Sequence, residues 1–129
     1  MDPRSPGDVA QPLFAYGSLV DPRCLEEVLG HTYQGERLAA RLTGWSRVRS
    51  VSYPYPYIVE APDGVVDGVL VMDLSPLEIQ ALDRYEEVDC GVYVRQAVQV
   101  EAFGCGPRPY RVHAQAYVAG PALPRSTAS

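Results

Sequence analysis

Cysteine and histidine are scarce in this sequence of 129 residues, which contains 3 cysteines and 2 histidines. The cysteines, Cys24, Cys90 and Cys105, are odd in number and far apart, which favours reduced thiols over a disulfide framework. No Cys–His cluster has the spacing of zinc ligands, and His31 and His113 are too few to supply one. We therefore predict no metal site, and we interpret Cys90 as a structural residue and His113 as a structural or solvent-facing one.

Excess positive charge and long hydrophobic runs are also absent. The formal net charge is -5 at pH 7, which argues against nonspecific nucleic-acid binding because such binding depends on basic side chains. No apolar run reaches the roughly 20 residues of a membrane span, and residues 1–11 lack the apolar core of a signal peptide. We expect a cytoplasmic protein without nucleic-acid or membrane partners.

The length suits a single domain with one hydrophobic core. Residues 12–120 are predicted to form this domain. Residues 1–11 and 121–129 are rich in proline and polar side chains and are predicted to be flexible tails.

The strand candidates share an alternation of apolar and polar side chains. They lie around residues 37–42, 57–60, 65–73, 94–101 and 110–118. Gly68 indicates a bulge or a close approach of another chain segment, and Tyr117 falls on the polar side of the last strand. The tyrosines and prolines of residues 53–57 are interpreted as the start of an edge strand, with rings covering the core or lining a pocket. With two helices, these strands predict an α+β fold with a curved sheet or a small barrel, its strands antiparallel or mixed.

A strand-loop-helix junction is predicted near the N-terminus. The apolar run at residues 13–16 ends at Gly17 and Ser18, and Asp21 is placed to cap a helix that stops at Gly30. Gly17 allows the backbone to approach a ligand closely, and successive amides before a helix favour a carboxylate or a phosphate. The alternative is a glycine that serves the turn geometry alone.

A second helix is predicted to begin at residues 75–78, whose sequence SPLE forms a capping box with proline at the first helical position. At about 100° per residue, its apolar arc contains the following residues: Leu77, Ile79, Ala81, Leu82, Tyr85 and Val88. Glu86 falls at the margin of this arc, whereas Glu87 falls on the polar face. Desolvation should raise the pKa of Glu86, which suits proton transfer near neutral pH. The alternative is a boundary residue or a partner of Arg95.

Two segments of the sequence resemble those of the gamma-glutamylcyclotransferase family, which includes AIG2-like domains. Residues 14–19 (FAYGSL) resemble the family's substrate loop, and residues 82–86 (LDRYE), followed by residues 91–93 (GVY), resemble its catalytic Glu segment. The resemblance runs from Leu13 to Ala119 and implies the family's fold and a catalytic Glu86.

One departure from the family pattern concerns the position after the catalytic acid. Relatives often have glycine there, and this sequence has Glu87. A chain turn expected at that position would then be made later, at Gly91.

The resemblance implies a reaction that requires neither metal nor cofactor. The α-amine of a small gamma-glutamyl substrate attacks its own γ-carbonyl, which gives 5-oxoproline and a free amine. Glu86 is expected to carry out both proton transfers. The substrate α-carboxylate or the oxyanion is expected at the amides of three residues, Gly17, Ser18 and Leu19.

Three further residues are expected near this site. Tyr16 and Tyr93 should shape the pocket, and Arg95 should either support the acid or stabilise its strand. The identity of the gamma-glutamyl substrate stays open, as does the choice between a monomer and a homodimer.

Two other functions compete with this one. The first is a hydrolase with Ser18 as its nucleophile, but no Gly-x-Ser-x-Gly segment with a matching acid and histidine is present. A noncatalytic small-ligand-binding or interaction module of the same fold is the second alternative, which Glu87 makes relevant.

Overall fold

The computed structural model describes residues 12–50, 53–104 and 108–121. The predicted tail at residues 1–11, the predicted tail at residues 121–129 except Pro121, and Cys105 lie outside these ranges. In the described part, the strands are β1 (Leu13–Ala15), β2 (Arg37–Ser50), β3 (Tyr53–Val71), β4 (Tyr93–Ala102) and β5 (Tyr110–Ala119). The α-helices are α1 (Pro22–Leu29) and α2 (Pro76–Tyr85), and two 3-10 turns cover Ser18–Val20 and Val88–Cys90.

The five strands close into a barrel in the order β1-β3-β2-β4-β5. The pair that closes it, β1 and β5, is parallel, with Leu13 opposite Gln115, whereas the other neighbours are antiparallel. Closure satisfies the backbone groups that an open sheet would leave at its edges. The predicted α+β barrel of mixed strands with two helices is thus confirmed.

The longest strand pair is the hairpin of β2 and β3. Two predicted strands, at residues 57–60 and 65–73, form one continuous β3, which takes up its extra residues where the register shifts between Thr43 and Trp45 of β2. Gly68 makes no bulge, since it pairs in register with Ala40. A Cβ at Gly68 would lie 2.2 Å from the carbonyl oxygen of Ala15, so the close approach of β1 is what requires glycine there.

Two apolar clusters form the core, one on each face of the strands. Phe14, Leu70 and Ala116 belong to the cluster inside the barrel. The other cluster lies between the barrel and the helices; it contains Leu25 of α1, Leu82 of α2 and Tyr117 of β5. Tyr117 is only 4% exposed, so its predicted place on a polar face is wrong. The helices cover this end of β5, and both faces of the strand are therefore buried.

Local signals at the helix ends are confirmed. The Asp21 side chain caps α1 by accepting a hydrogen bond from the Arg23 amide, and Gly30 ends it in the left-handed conformation at φ 80. At α2, the Ser75 hydroxyl and the Glu78 carboxylate form the complete capping box.

The predicted apolar arc of α2 is only partly confirmed. Ile79 and Leu82 are buried, but Leu77 is 75% exposed and Tyr85 is 44% exposed. The helix ends at Tyr85, so its periodicity does not extend to Glu86 and Glu87. The different surroundings of the two acids must therefore have another cause.

Candidate active site

A cavity of ≈ 300 Å³ opens where the loop after β1 meets the end of α2. Its described lining consists of Leu13, Phe14, Ala15, Tyr16, Gly17, Ser18, Leu19, Tyr85, Glu86, Glu87, Tyr93 and Tyr117. Barrel closure brings the six expected site residues other than Arg95 around this one space. Sequence reasoning did not anticipate Tyr85 and Tyr117 in the lining.

Glu86 owes its position to the end of α2. Its amide donates to the Leu82 carbonyl at 2.9 Å, as in a helix, and its backbone then leaves the helical path at φ -85, ψ 4. The next residue, Glu87, is left-handed at φ 54, ψ 43. This reversal leaves the Glu86 side chain half-buried and the Glu87 side chain exposed. The predicted burial difference is confirmed, but a chain turn produces it rather than helical phase.

The position of the turn corrects one expectation. We predicted that the turn would be made later, at Gly91, because Glu87 is not glycine. Both residues are left-handed, since Gly91 has φ 76 and Glu87 has φ 54. A left-handed backbone costs a residue with a Cβ on the order of 1–2 kcal/mol. Glu87 therefore adopts the conformation that would suit glycine, at an energetic cost.

Burial raises the pKa of Glu86 to about 7, and repulsion from the Glu87 carboxylate adds to the effect. The predicted direction and its main cause, desolvation, are thus confirmed. A carboxyl group with such a pKa exchanges protons readily near neutral pH.

A polar network holds Tyr117 in the cavity wall. The Tyr117 hydroxyl donates to Asp83 at 2.7 Å, and Arg95 donates to both oxygens of the same carboxylate at 2.9 and 3.2 Å. Arg95 also donates to the Gln115 side chain. Burial, together with the hydrogen bond to Asp83, raises the pKa of Tyr117, so its hydroxyl stays protonated.

This network corrects the interpretation of Arg95 as a partner or support of Glu86. Its carboxylate partner is Asp83, and it does not line the cavity. Asp83 is half-buried on α2, although helical periodicity had placed it on the polar face. Its partners Arg95 and Tyr117 come from β4 and β5, so no local pattern in the sequence marked it.

Two tyrosines tie the loop to the rest of the site. The Tyr85 hydroxyl and the Ser18 hydroxyl share a hydrogen bond of 2.9 Å between α2 and the loop. The Tyr16 hydroxyl donates to the Tyr117 carbonyl oxygen. These contacts hold the loop of residues 17–19 against the cavity.

A serine nucleophile lacks its base in the described part of the chain. Ser18 bonds to Tyr85, His31 pairs with Glu78 at 2.8 Å, and His113 is exposed. Neither histidine belongs to the described lining of the cavity. The hydrolase alternative therefore gains no support.

The described ranges contain neither a cluster of metal-binding side chains nor a membrane-spanning helix. No three His, Cys, Asp or Glu side chains gather there in a way that could hold a metal ion. None of the described helices is long and apolar enough to cross a membrane.

Comparison with solved structures places this fold in a known class. A structure described as "Gamma-glutamyl cyclotransferase" superimposes with a TM-score of 0.66 at 20% identity, over 84% of this chain and 66% of that one. An Arabidopsis thaliana protein solved in solution superimposes with a TM-score of 0.70 at 27% identity, over 84% of this chain and 61% of its own. The barrel with two helices is thus the gamma-glutamyl cyclotransferase fold.

Sequence comparison identifies the family. The family described as "Gamma-glutamyl cyclotransferase, AIG2-like" matches residues 13–128. AIG2-like protein C of Arabidopsis thaliana is 32% identical over 94 residues, which are 73% of this chain and 52% of that protein. The chain belongs to the gamma-glutamyl cyclotransferase, AIG2-like family. It spans about half the length of the curated relatives it matches.

Proposed function

We propose that the protein is a gamma-glutamyl cyclotransferase, which converts a small gamma-glutamyl amide into 5-oxoproline and a free amine. One observation carries the proposal: a desolvated carboxyl group, Glu86, shares a small cavity with the backbone loop at residues 17–19. Membership in the family supports the same reaction.

The first chemical step is the removal of a proton from the substrate ammonium. Glu86, as the carboxylate, accepts this proton, and the freed amine attacks the γ-carbonyl carbon within the same molecule. A C–N bond forms and closes a five-membered ring. The two reacting groups are already linked, and well-oriented intramolecular attack reaches effective molarities on the order of 10⁵ to 10⁸ M.

The second step returns the proton. Protonated Glu86 donates it to the departing nitrogen, and the original amide C–N bond breaks. The ring nitrogen then gives up its second proton to the released amine, which leaves as an ammonium ion. The carboxylate is regenerated, so the reaction needs no cofactor. A pKa of about 7 suits both directions of transfer, because neither form of Glu86 is strongly disfavoured at neutral pH.

The loop after β1 is the part of the site that we assign to binding the negative charge of the substrate. Ser18 begins a 3-10 turn, and the first amides of a helical turn have no acceptor within it. We assign the amides of residues 17–19 to the substrate α-carboxylate or to the developing oxyanion. The Tyr16, Tyr93 and Tyr117 side chains limit the shape of the pocket.

A panel of gamma-glutamyl amino acids and gamma-glutamyl amines tests the proposal, with 5-oxoproline and the released amine measured together. The two products should appear in equal amounts with at least one substrate, and Glu86→Gln should slow their formation by roughly 10²- to 10⁴-fold. Asp89→Asn, which removes an exposed charge outside the cavity, is the matched control.

A different result would favour the noncatalytic alternative. If parent and Glu86→Gln bind the amides equally and neither forms 5-oxoproline, the protein is a ligand-binding module of this fold. The cytoplasmic location and the absence of nucleic-acid and membrane partners remain proposals, which fractionation and pull-down experiments can test.

A further inference from the structure

The direction of each amide in the loop of residues 17–19 depends on the carbonyl group that precedes it. A trans peptide unit contains the C=O of one residue and the N–H of the next, and the two point in opposite directions. The amides of residues 17–19 therefore point away from whatever binds the carbonyl oxygens of residues 16–18. Within the described ranges, none of the three amides donates to another backbone group, so all three are available to a ligand.

The 3-10 turn itself binds two of these carbonyl oxygens. The Val20 amide donates to the Gly17 oxygen at 3.1 Å, and the Asp21 amide donates to the Ser18 oxygen at 3.1 Å. Both donors lie on the C-terminal side of the turn, so the amides of these two peptide units are directed to its N-terminal side. The carbonyl of Tyr16 precedes the turn, and neither of these hydrogen bonds fixes it.

Arg47 of β2 binds the remaining carbonyl group. Its Nη2 donates to the Tyr16 oxygen at 3.1 Å and, at 3.4 Å, to the carbonyl oxygen of Asp67 in β3. Arg47 does not belong to the described lining of the cavity, whereas Tyr16 and Gly17 do. The Tyr16 carbonyl thus points toward a group outside the cavity, and the Gly17 N–H of the same peptide unit points the other way.

The charges of the lining make the direction of an amide matter. The charged side chains of the described lining are Glu86 and Glu87, and it includes no basic residue. A negatively charged group of the substrate would therefore be bound by neutral donors, among them the amides of the loop. A guanidinium bound to the Tyr16 oxygen polarises that peptide unit and makes its N–H a stronger donor, as in other charge-assisted and connected hydrogen bonds.

Building on the proposed function, we propose that Arg47 is a positioning residue: by binding the Tyr16 carbonyl oxygen, it turns the Gly17 N–H toward the cavity to bind the negative charge of the substrate. The side chain acts through the backbone and does not touch the substrate. It does for Gly17 what the hydrogen bonds of the 3-10 turn do for the next two amides. The alternative is that Arg47 only attaches the loop to β3 through Asp67.

Amide NMR of the isotope-labelled protein tests this inference with 5-oxoproline as the probe, because that molecule carries a carboxylate and a carbonyl oxygen. In the parent, the amide protons of Gly17, Ser18 and Leu19 should move downfield as 5-oxoproline is added. Arg47→Met keeps the apolar stem and removes the donor. In this variant the Gly17 response should be largely lost, whereas the other two amides should keep theirs. Arg47 is exposed, so the variant should fold.

Turnover of a gamma-glutamyl amide provides the second readout. In Arg47→Met, kcat/KM should fall about tenfold, as expected for the loss of one charge-assisted hydrogen bond. Arg47→Lys keeps a cationic donor and should recover part of this loss. Arg41→Met is the matched control, since it removes the same charge from the same strand. Arg41 donates to the Asp67 carboxylate, and its variant should match the parent in both experiments.

The outcomes separate this inference from the proposed function. A Gly17 amide that responds to 5-oxoproline equally in the parent and in Arg47→Met, or in neither, would overturn the role of Arg47. So would equal losses at all three amides of the variant, the sign of a detached loop, or an unchanged kcat/KM. Turnover of the amides by the parent would leave the cyclotransferase proposal intact in each case. If the Gly17 response depends on Arg47 but no gamma-glutamyl amide gives 5-oxoproline, the positioning role stands and the cyclotransferase proposal fails.

Discussion

The Tyr117 hydroxyl donates a hydrogen bond of 2.7 Å to the carboxylate of Asp83, which connects the end of β5 to α2 beside the cavity. Asp83 in turn accepts two hydrogen bonds from Arg95. The cavity wall near Glu86 is thus held by a network in which a carboxylate is shared between a hydroxyl and a guanidinium. Such networks are costly to break, since each partner left behind is partly buried.

Removal of Asp83 should destabilise the protein. Asp83→Ala leaves the Tyr117 hydroxyl and the Arg95 guanidinium without their carboxylate, so the free energy of unfolding should fall by about 2 kcal/mol. Urea denaturation measures this value. Asp67→Ala, which breaks the exposed Arg41–Asp67 pair, is the control and should have little effect. Equal losses in both variants would contradict the importance of the network.

Glu86 and Glu87 should not be interchangeable, although they are neighbours. Glu86→Gln keeps the size of the side chain and removes its proton transfer, so kcat should fall by roughly 10²- to 10⁴-fold. Glu87→Gln keeps the proton shuttle and should retain measurable turnover. Steady-state assays of both variants side by side decide the matter. An inactive Glu87→Gln variant together with an active Glu86→Gln variant would contradict the assignment of proton transfer to Glu86.

The proposed turnover by the parent protein should become faster as pH rises through neutrality. The base form of Glu86 must accept the ammonium proton, and burial raises the pKa of this carboxyl to about 7. The kcat/KM profile for the free enzyme should therefore rise with a midpoint near that value instead of the ordinary value of about 4.3. Glu87→Gln removes the repulsion that contributes to the shift, so its midpoint should move to lower pH. A parent midpoint near 4.3 would argue against a desolvated base.

The same pKa should make the folded state less stable at high pH. Because the pKa of Glu86 is raised on folding from 4.5 to about 7, the native state binds more protons than the unfolded chain in that window. The contribution of Glu86 to stability is thus present below pH 4.5 and is lost as pH rises through about 7.

Glu86→Gln should therefore gain stability relative to the parent as pH rises through this window. The gain should be on the order of 3 kcal/mol by pH 8, since one pKa unit corresponds to about 1.4 kcal/mol. Thermal or urea unfolding of both proteins at several pH values measures it. A constant difference between the two proteins from pH 4 to pH 8 would contradict the burial of the charge.

The left-handed backbone of Glu87 predicts a stabilising substitution. Glu87→Gly relieves the steric cost at φ 54 but gives the unfolded chain more freedom, so a net gain of about 0.5 kcal/mol is expected. Asp89→Gly, within the 3-10 turn Val88–Cys90, should instead lose about 0.5–1 kcal/mol. A comparable loss in both variants would show that the conformation of Glu87 carries no strain.

Prediction succeeded where interactions are local. The cap at Asp21, the left-handed stop at Gly30 and the capping box at residues 75–78 each involve residues within a few positions along the chain. Alternation identified the strands, but it failed for Tyr117. A two-residue period distinguishes the two faces of a strand and cannot say whether a helix covers the outer one.

The sequence by itself determined where both helices begin and where α1 ends, the class of fold and the acid on which the proposed chemistry depends. Short-range hydrogen bonds, apolar periodicity and the two family segments each depend on residues that are close together in the sequence. Only the tertiary structure decided that Arg95 binds Asp83, that Tyr117 lines the cavity and that Glu87 stands at its mouth. These relationships join residues from α2, β4 and β5, and barrel closure brings those elements together through contacts that no local pattern encodes.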